Sequence, residues 1–175
     1  MSFKKKIQYY VKFLVRSIFK ILHGRINYKK LYFPDEIQRF NLKFNKSKNL
    51  ILKIKNGRIY TDYVQHLAII HNNNLLDNVS YQLKNSSLLP TKKNTVMKIG
   101  TPRILKKFDG NVLSLVNGAS GNENYFHWLF DILPRLIMLE KTNQLKDIDY
   151  LYLPELKEFQ IKTLKLFNIK KKKNN

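Results

Sequence analysis

The sequence predicts an α/β fold. A parallel sheet covered by helices is preceded by a small antiparallel β region and an N-terminal amphipathic helix. Three observations carry this. Between residues 111 and 167, strand-like runs alternate with helix-like runs across short loops, the pattern of a parallel sheet with crossover helices. Between residues 50 and 79, apolar residues recur at every second position around Asn-rich turns, which favours hairpins. Ahead of both, residues 4–20 mix lysines and apolar side chains at helical spacing. The chain therefore divides into 1–27, 28–94 and 95–175.

In the first part, Lys5, Lys12, Arg16 and Lys20 fall close to one helical face, and Gly24 is placed to stop the helix. Ile7, Tyr10, Val11, Leu14, Ile18 and Ile21 are among the apolar side chains that cover the rest. Charges interrupt the apolar run too often for it to cross a bilayer, and it lacks the core and cleavage site of a secretory signal. Two readings stand equally: a helix lying on an anionic membrane surface, or a helix packed on its own domain. Residues 28–49 read as a polar, basic connector. Leu50–Ile54 and Arg58–Tyr60 flank Asn56-Gly57, the dipeptide of a hairpin turn, and Leu67–Leu76 reads as a second hairpin around Asn72–Asn74. Residues 85–94 read as a polar loop. His66 and His71 read as strand or turn histidines rather than ligands.

In the third part, residues 111–116 read as a buried strand. The small-residue loop 117–121 follows, with Ser120 and Glu123 at capping-box spacing. Residues 149–153 form a second strand, Pro154 suits a first helical position, and residues 156–167 form a helix. Asn168-Ile169 could open a third strand. Asp147-Ile148-Asp149 has the spacing of a metal-holding acid pair but reads as a turn feature.

The formal net charge is +21, from 33 Lys+Arg against 12 Asp+Glu, which points to anionic partners. Only six of the 33 are Arg, and the abundant Lys, Asn and Ile are what an AT-rich coding sequence supplies. Nucleic-acid readers favour Arg for its bidentate fork, so nucleic acid is disfavoured as a partner. With no cysteine, disulfides and thiolate metal sites are excluded. A hydrophobic content of 43% supports a real core.

The chemistry concentrates in residues 121–136, which hold the only Trp. His127, Asp131 and Arg135 repeat every fourth residue, and Asn124 lies one turn before them. At helical spacing these four line one stripe of an otherwise apolar, buried helix. Pro134 predicts a kink. His127 is the best general-base candidate, and Asp131 could hold the imidazole or be the base itself. Arg135 could neutralise Asp131 or grip a phosphate. Spacing alone favours a buried network that only satisfies itself. No phosphate loop, dinucleotide fingerprint, nucleophile elbow, zinc pattern or EF-hand is present.

The run Asn124-Tyr125-Phe126-His127-Trp128-Leu129-Phe130-Asp131-Ile132-Leu133-Pro134-Arg135-Leu136 resembles the signature of family-61 glycosyltransferases of the capsular polysaccharide biosynthesis type. Lys55–Tyr60, Leu75–Ser80, Tyr150–Pro154 and Phe159-Gln160 resemble the family as well, and the likeness spans about residues 50–170. The resemblance implies a bacterial inverting transferase that moves a sugar from a nucleotide-sugar donor to a hydroxyl acceptor, saccharide or lipid-linked. It implies a Rossmann-like sheet of the GT-B kind, of which this chain is expected to be the N-terminal, truncated half without the donor-holding second domain. It implies His127 and Asp131 as catalytic residues and Asn124, Tyr125, Trp128, Arg135 and Gly121 as substrate-binding. The nucleotide sugar is a co-substrate, with no bound cofactor and no metal, and the expected place is the cytoplasmic side of a membrane, peripheral on its inner face. The rival expectation is a basic nucleic-acid- or membrane-binding protein without catalytic activity.

Overall fold

The computed structural model describes residues 2–30, 32–44, 47–116 and 123–167; for residues 41–44 and 47–49 only the backbone is described. Expectations for the loop 117–121 with Ser120 and Gly121, for Asn168-Ile169 and for the lysine tail lie outside the described residues. In chain order the elements are α1 (Phe3–His23), β1 (Asn27–Tyr28), β2 (Ile37–Phe44), β3 (Ser47–Ile54), β4 (Arg58–Thr61) and β5 (His66–His71). There follow β6 (Asn74–Leu75), β7 (Tyr81–Lys84), β8 (Ser87–Leu88), α2 (Val96–Ile99) and β9 (Val112–Ser114). The last are α3 (Tyr125–His127), a π-helical turn (Trp128–Ile132), α4 (Leu133–Lys141), β10 (Tyr150–Tyr152) and α5 (Glu158–Leu166). The chain is thus a mixed α/β protein with an N-terminal helix and both parallel and antiparallel pairing. It separates into two compact units: Met1–Gln38, Lys53–Tyr60 and Ala68–Leu105 form one, Arg39–Leu52, Thr61–Leu67 and Lys106–Asn175 the other.

The first unit is built on a sheet in the order β1-β6-β5-β7-β8, with β4 also on β5. Two tight turns set its registers. Asn72 and Asn73, at φ 48° and 57°, turn β5 into β6 with Ile70 opposite Leu75, as the Asn-rich run predicts. Asn85 and Ser86, at φ 49° and 60°, turn β7 into β8 with Leu83 opposite Leu88, where the sequence reads as a plain loop. Two successive left-handed residues match the right-handed twist of a hairpin, and Asn tolerates that region better than most side chains. Ile26, Ala68, Ile70, Leu75 and Val96 form the buried core, with Tyr60 and Met97 against it. Arg58 donates to the His23 carbonyl at 3.1 Å and to Asn73 Oδ1 at 2.9 Å. Burial lowers its pKa from the ordinary guanidinium value. Gly24 closes α1 at φ 78° with the Asn73 side chain behind it, as expected of a helix stop.

The second unit holds a β2–β3 pair and a β9–β10 pair. Residues 28–49 are therefore more than a connector, because β2 runs eight residues through them. Phe40, Leu42 and Phe44 alternate with Asn41 and Lys43, the period of a strand. The Asn56-Gly57 turn forms, with Asn56 at φ 54°, but the strand before it pairs with β2 and the strand after it with β5. β9 and β10 are parallel, Tyr150 opposite Val112 and Tyr152 opposite Ser114. With α3, the π turn and α4 between them they make a β-α-β unit, the connection that parallel strands require. Leu115, Trp128, Ile132, Leu136, Leu139, Leu153 and Leu164 form its buried core, and Ile51 packs on it. α5 begins at Glu158 rather than at Pro154, which lies in a bend. Lys157 N donates to Gln160 Oε1 at 2.8 Å and fixes that start.

Candidate functional site

The helix predicted over the central stretch is made in three pieces. Asn124 caps it: its Oδ1 accepts from Phe126 N at 2.8 Å. Glu123 pairs with Lys157 Nζ at 2.6 Å. After one turn the backbone widens, and Leu133 N bonds back five residues to the Trp128 carbonyl. Pro134 sits at the first turn of α4. Having no N–H, it is tolerated there, and the kink expected at Pro134 is taken up as a π-helical turn just before it.

That turn separates two faces. On the inner face Trp128, Ile132, Leu136 and Leu139 enter the core. Trp128 is 1% exposed and its indole N–H donates to Thr163 Oγ1 at 2.8 Å. The sequence reading assigns Trp128 to substrate, but here it is a core side chain whose one donor is already engaged. On the outer face His127 Nδ1 meets Asp131 Oδ2 at 2.7 Å, and the two side chains are 27% and 36% exposed. A carboxylate only accepts, so Asp131 selects the tautomer with its proton on Nδ1 and leaves the Nε2 lone pair outside the pair. An imidazole held this way can take a proton from a hydroxyl.

Aromatic rings border the pair. Phe126 and Phe130 lie 4.7 Å apart between centroids, and both are exposed. Phe126 also stands edge-on to the His127 ring at 5.6 Å. Tyr125 is exposed and packs edge-on to Phe159 at 5.0 Å. Large exposed rings in one place mark an interaction surface. The sequence reading missed Phe126 and Phe130 as part of it, because it took the apolar residues of this helix as buried all round. Arg135 extends to the strand: its Nη1 donates to the Leu115 carbonyl at 2.8 Å, tying α4 to the end of β9. Gly121, the remaining predicted site residue, lies outside the described residues.

Elsewhere, Asp149 Oδ2 accepts from Asn111 N at 2.9 Å and Asn111 Nδ2 donates to the Asp147 carbonyl, so this acid pair serves a turn. His66 and His71 are both buried on β5. Among the described residues no group of three or more His, Asp or Glu side chains is placed to hold a metal ion. Lys5, Lys12, Arg16 and Lys20 lie on α1, away from the pair in sequence and in a different unit. No family model, no curated protein and no solved structure matches this chain significantly.

Proposed function

We propose that the chain carries the acceptor-side wall of a sugar transferase, and that its β-α-β unit belongs to a Rossmann-like sheet of the GT-B kind. The observation that carries the proposal is the 2.7 Å contact between His127 and Asp131 on the outer face of a helix whose inner face is core. A pair meant only to satisfy itself has no need of solvent access or of exposed rings beside it. The signature over residues 124–136 supports the same reading. In the mechanism, His127 Nε2 removes the proton of an acceptor hydroxyl as its oxygen attacks the anomeric carbon of a nucleotide sugar, and a nucleoside diphosphate departs. Asp131 fixes the tautomer and offsets the charge that forms on the imidazole. Asn124 holds the turn that presents them, and Tyr125 and the neighbouring rings offer faces for a sugar ring to pack on.

The test is release of nucleoside diphosphate from a panel of nucleotide sugars in the presence of saccharide acceptors. His127→Ala and Asp131→Asn should each lower the rate by about 10²- to 10⁴-fold. Undiminished rates in both variants, or no turnover of any donor by the unaltered chain, would sink the assignment.

A further inference from the structure

The N-terminal helix is turned inside out relative to an ordinary surface helix. None of its residues is buried. Its apolar face, with Ile7, Tyr10, Leu14, Ile18 and Ile21, is open to solvent, from 48% exposed at Ile7 to 83% at Ile21. At about 100° per residue these positions fall together, with Phe3 and Val11 beside them. The side that touches the rest of its unit is the opposite one. His23 Nδ1 lies 3.1 Å from the Thr101 carbonyl, Phe19 packs on the His23 ring at 5.2 Å, and Lys20 lies against Gly100. A helix that packs on its own domain buries its apolar stripe and leaves its charges outside. Here the attachment is at the last turn and the apolar stripe is displayed.

We propose that α1 is an in-plane anchor for an anionic lipid surface. Charge complementarity selects the occupant. The helix carries Lys4, Lys5, Lys6, Lys12, Arg16 and Lys20 and no acid. Lys4 and Lys6 border the apolar stripe on its two sides, where long side chains reach headgroups while the stripe enters the acyl boundary. A second copy of the helix is a poor occupant, because two such faces bring like charges together with no acids to offset them. Among the described residues no helix is long and apolar enough to cross a membrane. The anchor lies in the surface plane and rests on residues separate from the His127–Asp131 pair.

The experiment is flotation of the full chain with phosphatidylcholine vesicles, with or without phosphatidylglycerol. The chain should float with the anionic vesicles at low salt and be released near molar salt, where screening shortens to about 3 Å. Leu14→Glu with Ile18→Glu should reduce binding more than about tenfold, since two exposed apolar contacts become two anions. Lys5→Gln with Lys12→Gln leaves the apolar stripe intact and should weaken binding about fivefold per cation removed. Absence of flotation at low salt overturns the proposal. So does equal binding by the glutamate variant, or unchanged retention on duplex DNA by that variant with no vesicle binding. A dimer that the glutamate pair converts to monomer, without vesicle binding, assigns the stripe to a second copy and also overturns it.

Discussion

Trp128 follows His127 directly yet serves the opposite purpose. Successive helical residues diverge by about 100°, so one reaches the core and the other the surface. The core role of Trp128 rests on Thr163, whose hydroxyl accepts from the indole and donates back to carbonyls of its own helix. Thr163→Val should strand the buried indole N–H and cost about 1–3 kcal/mol, read by chemical denaturation. The sole Trp supplies the signal: its emission should be blue-shifted in the native chain and move to the red on unfolding. The His127–Asp131 pairing was legible, because i and i+4 meet on any helical turn. Which aromatic rings face outward was not. Apolar side chains run right round this stretch, so their pattern does not say which of them meet the core.

At the scale of elements, the turns were easier to read than the strands. Asn72-Asn73 was legible because Asn is among the few residues that enter the left-handed region cheaply. β2 was not, although Phe40, Leu42 and Phe44 alternate with polar residues, because the run lies in a basic stretch and lacks a flanking turn dipeptide. The β4–β5 turn depends on Asp62, whose Oδ1 accepts from the amides of Val64, Gln65 and His66. Burial pushes this carboxyl up, but the three amide bonds and His66 outweigh it and leave its pKa below the ordinary carboxylate value. A depressed folded pKa stabilises the fold above the unfolded value, and the gain is lost as pH falls through the folded one. Thermal melts should therefore show the unaltered chain more stable than Asp62→Asn near neutrality. The gap should close only at pH below the ordinary carboxylate range.

For the molecule as a whole, the two units do not follow each other along the chain. The chain passes between them at Gln38/Arg39, Leu52/Lys53, Tyr60/Thr61, Leu67/Ala68 and Leu105/Lys106. Every segment of the first unit lies before Lys106, whereas the second combines early and late segments. Ile51 packs on the core of Trp128 and Leu136, and Tyr63 stacks on Tyr152 at 5.7 Å with their hydroxyls 3.3 Å apart. A fragment of residues 106–175 should lose these contacts and fail to melt cooperatively, while residues 1–105 should retain a transition by circular dichroism. A cooperative transition in the 106–175 fragment would refute this dependence on the early segments. The β-α-β order was legible from alternating strand and helix periods. The interleaving was not, because it is fixed by pairings between residues far apart in sequence.

This interleaving has a consequence during synthesis. All of the first unit is made before any residue beyond Leu105, so it can fold while the rest of the chain is still being synthesised. Ile51 and Tyr63, by contrast, emerge early and must wait for Trp128, Tyr152 and Leu164. Through that interval Ile51 waits without the core it packs on, a candidate for chaperone binding until the later helices arrive.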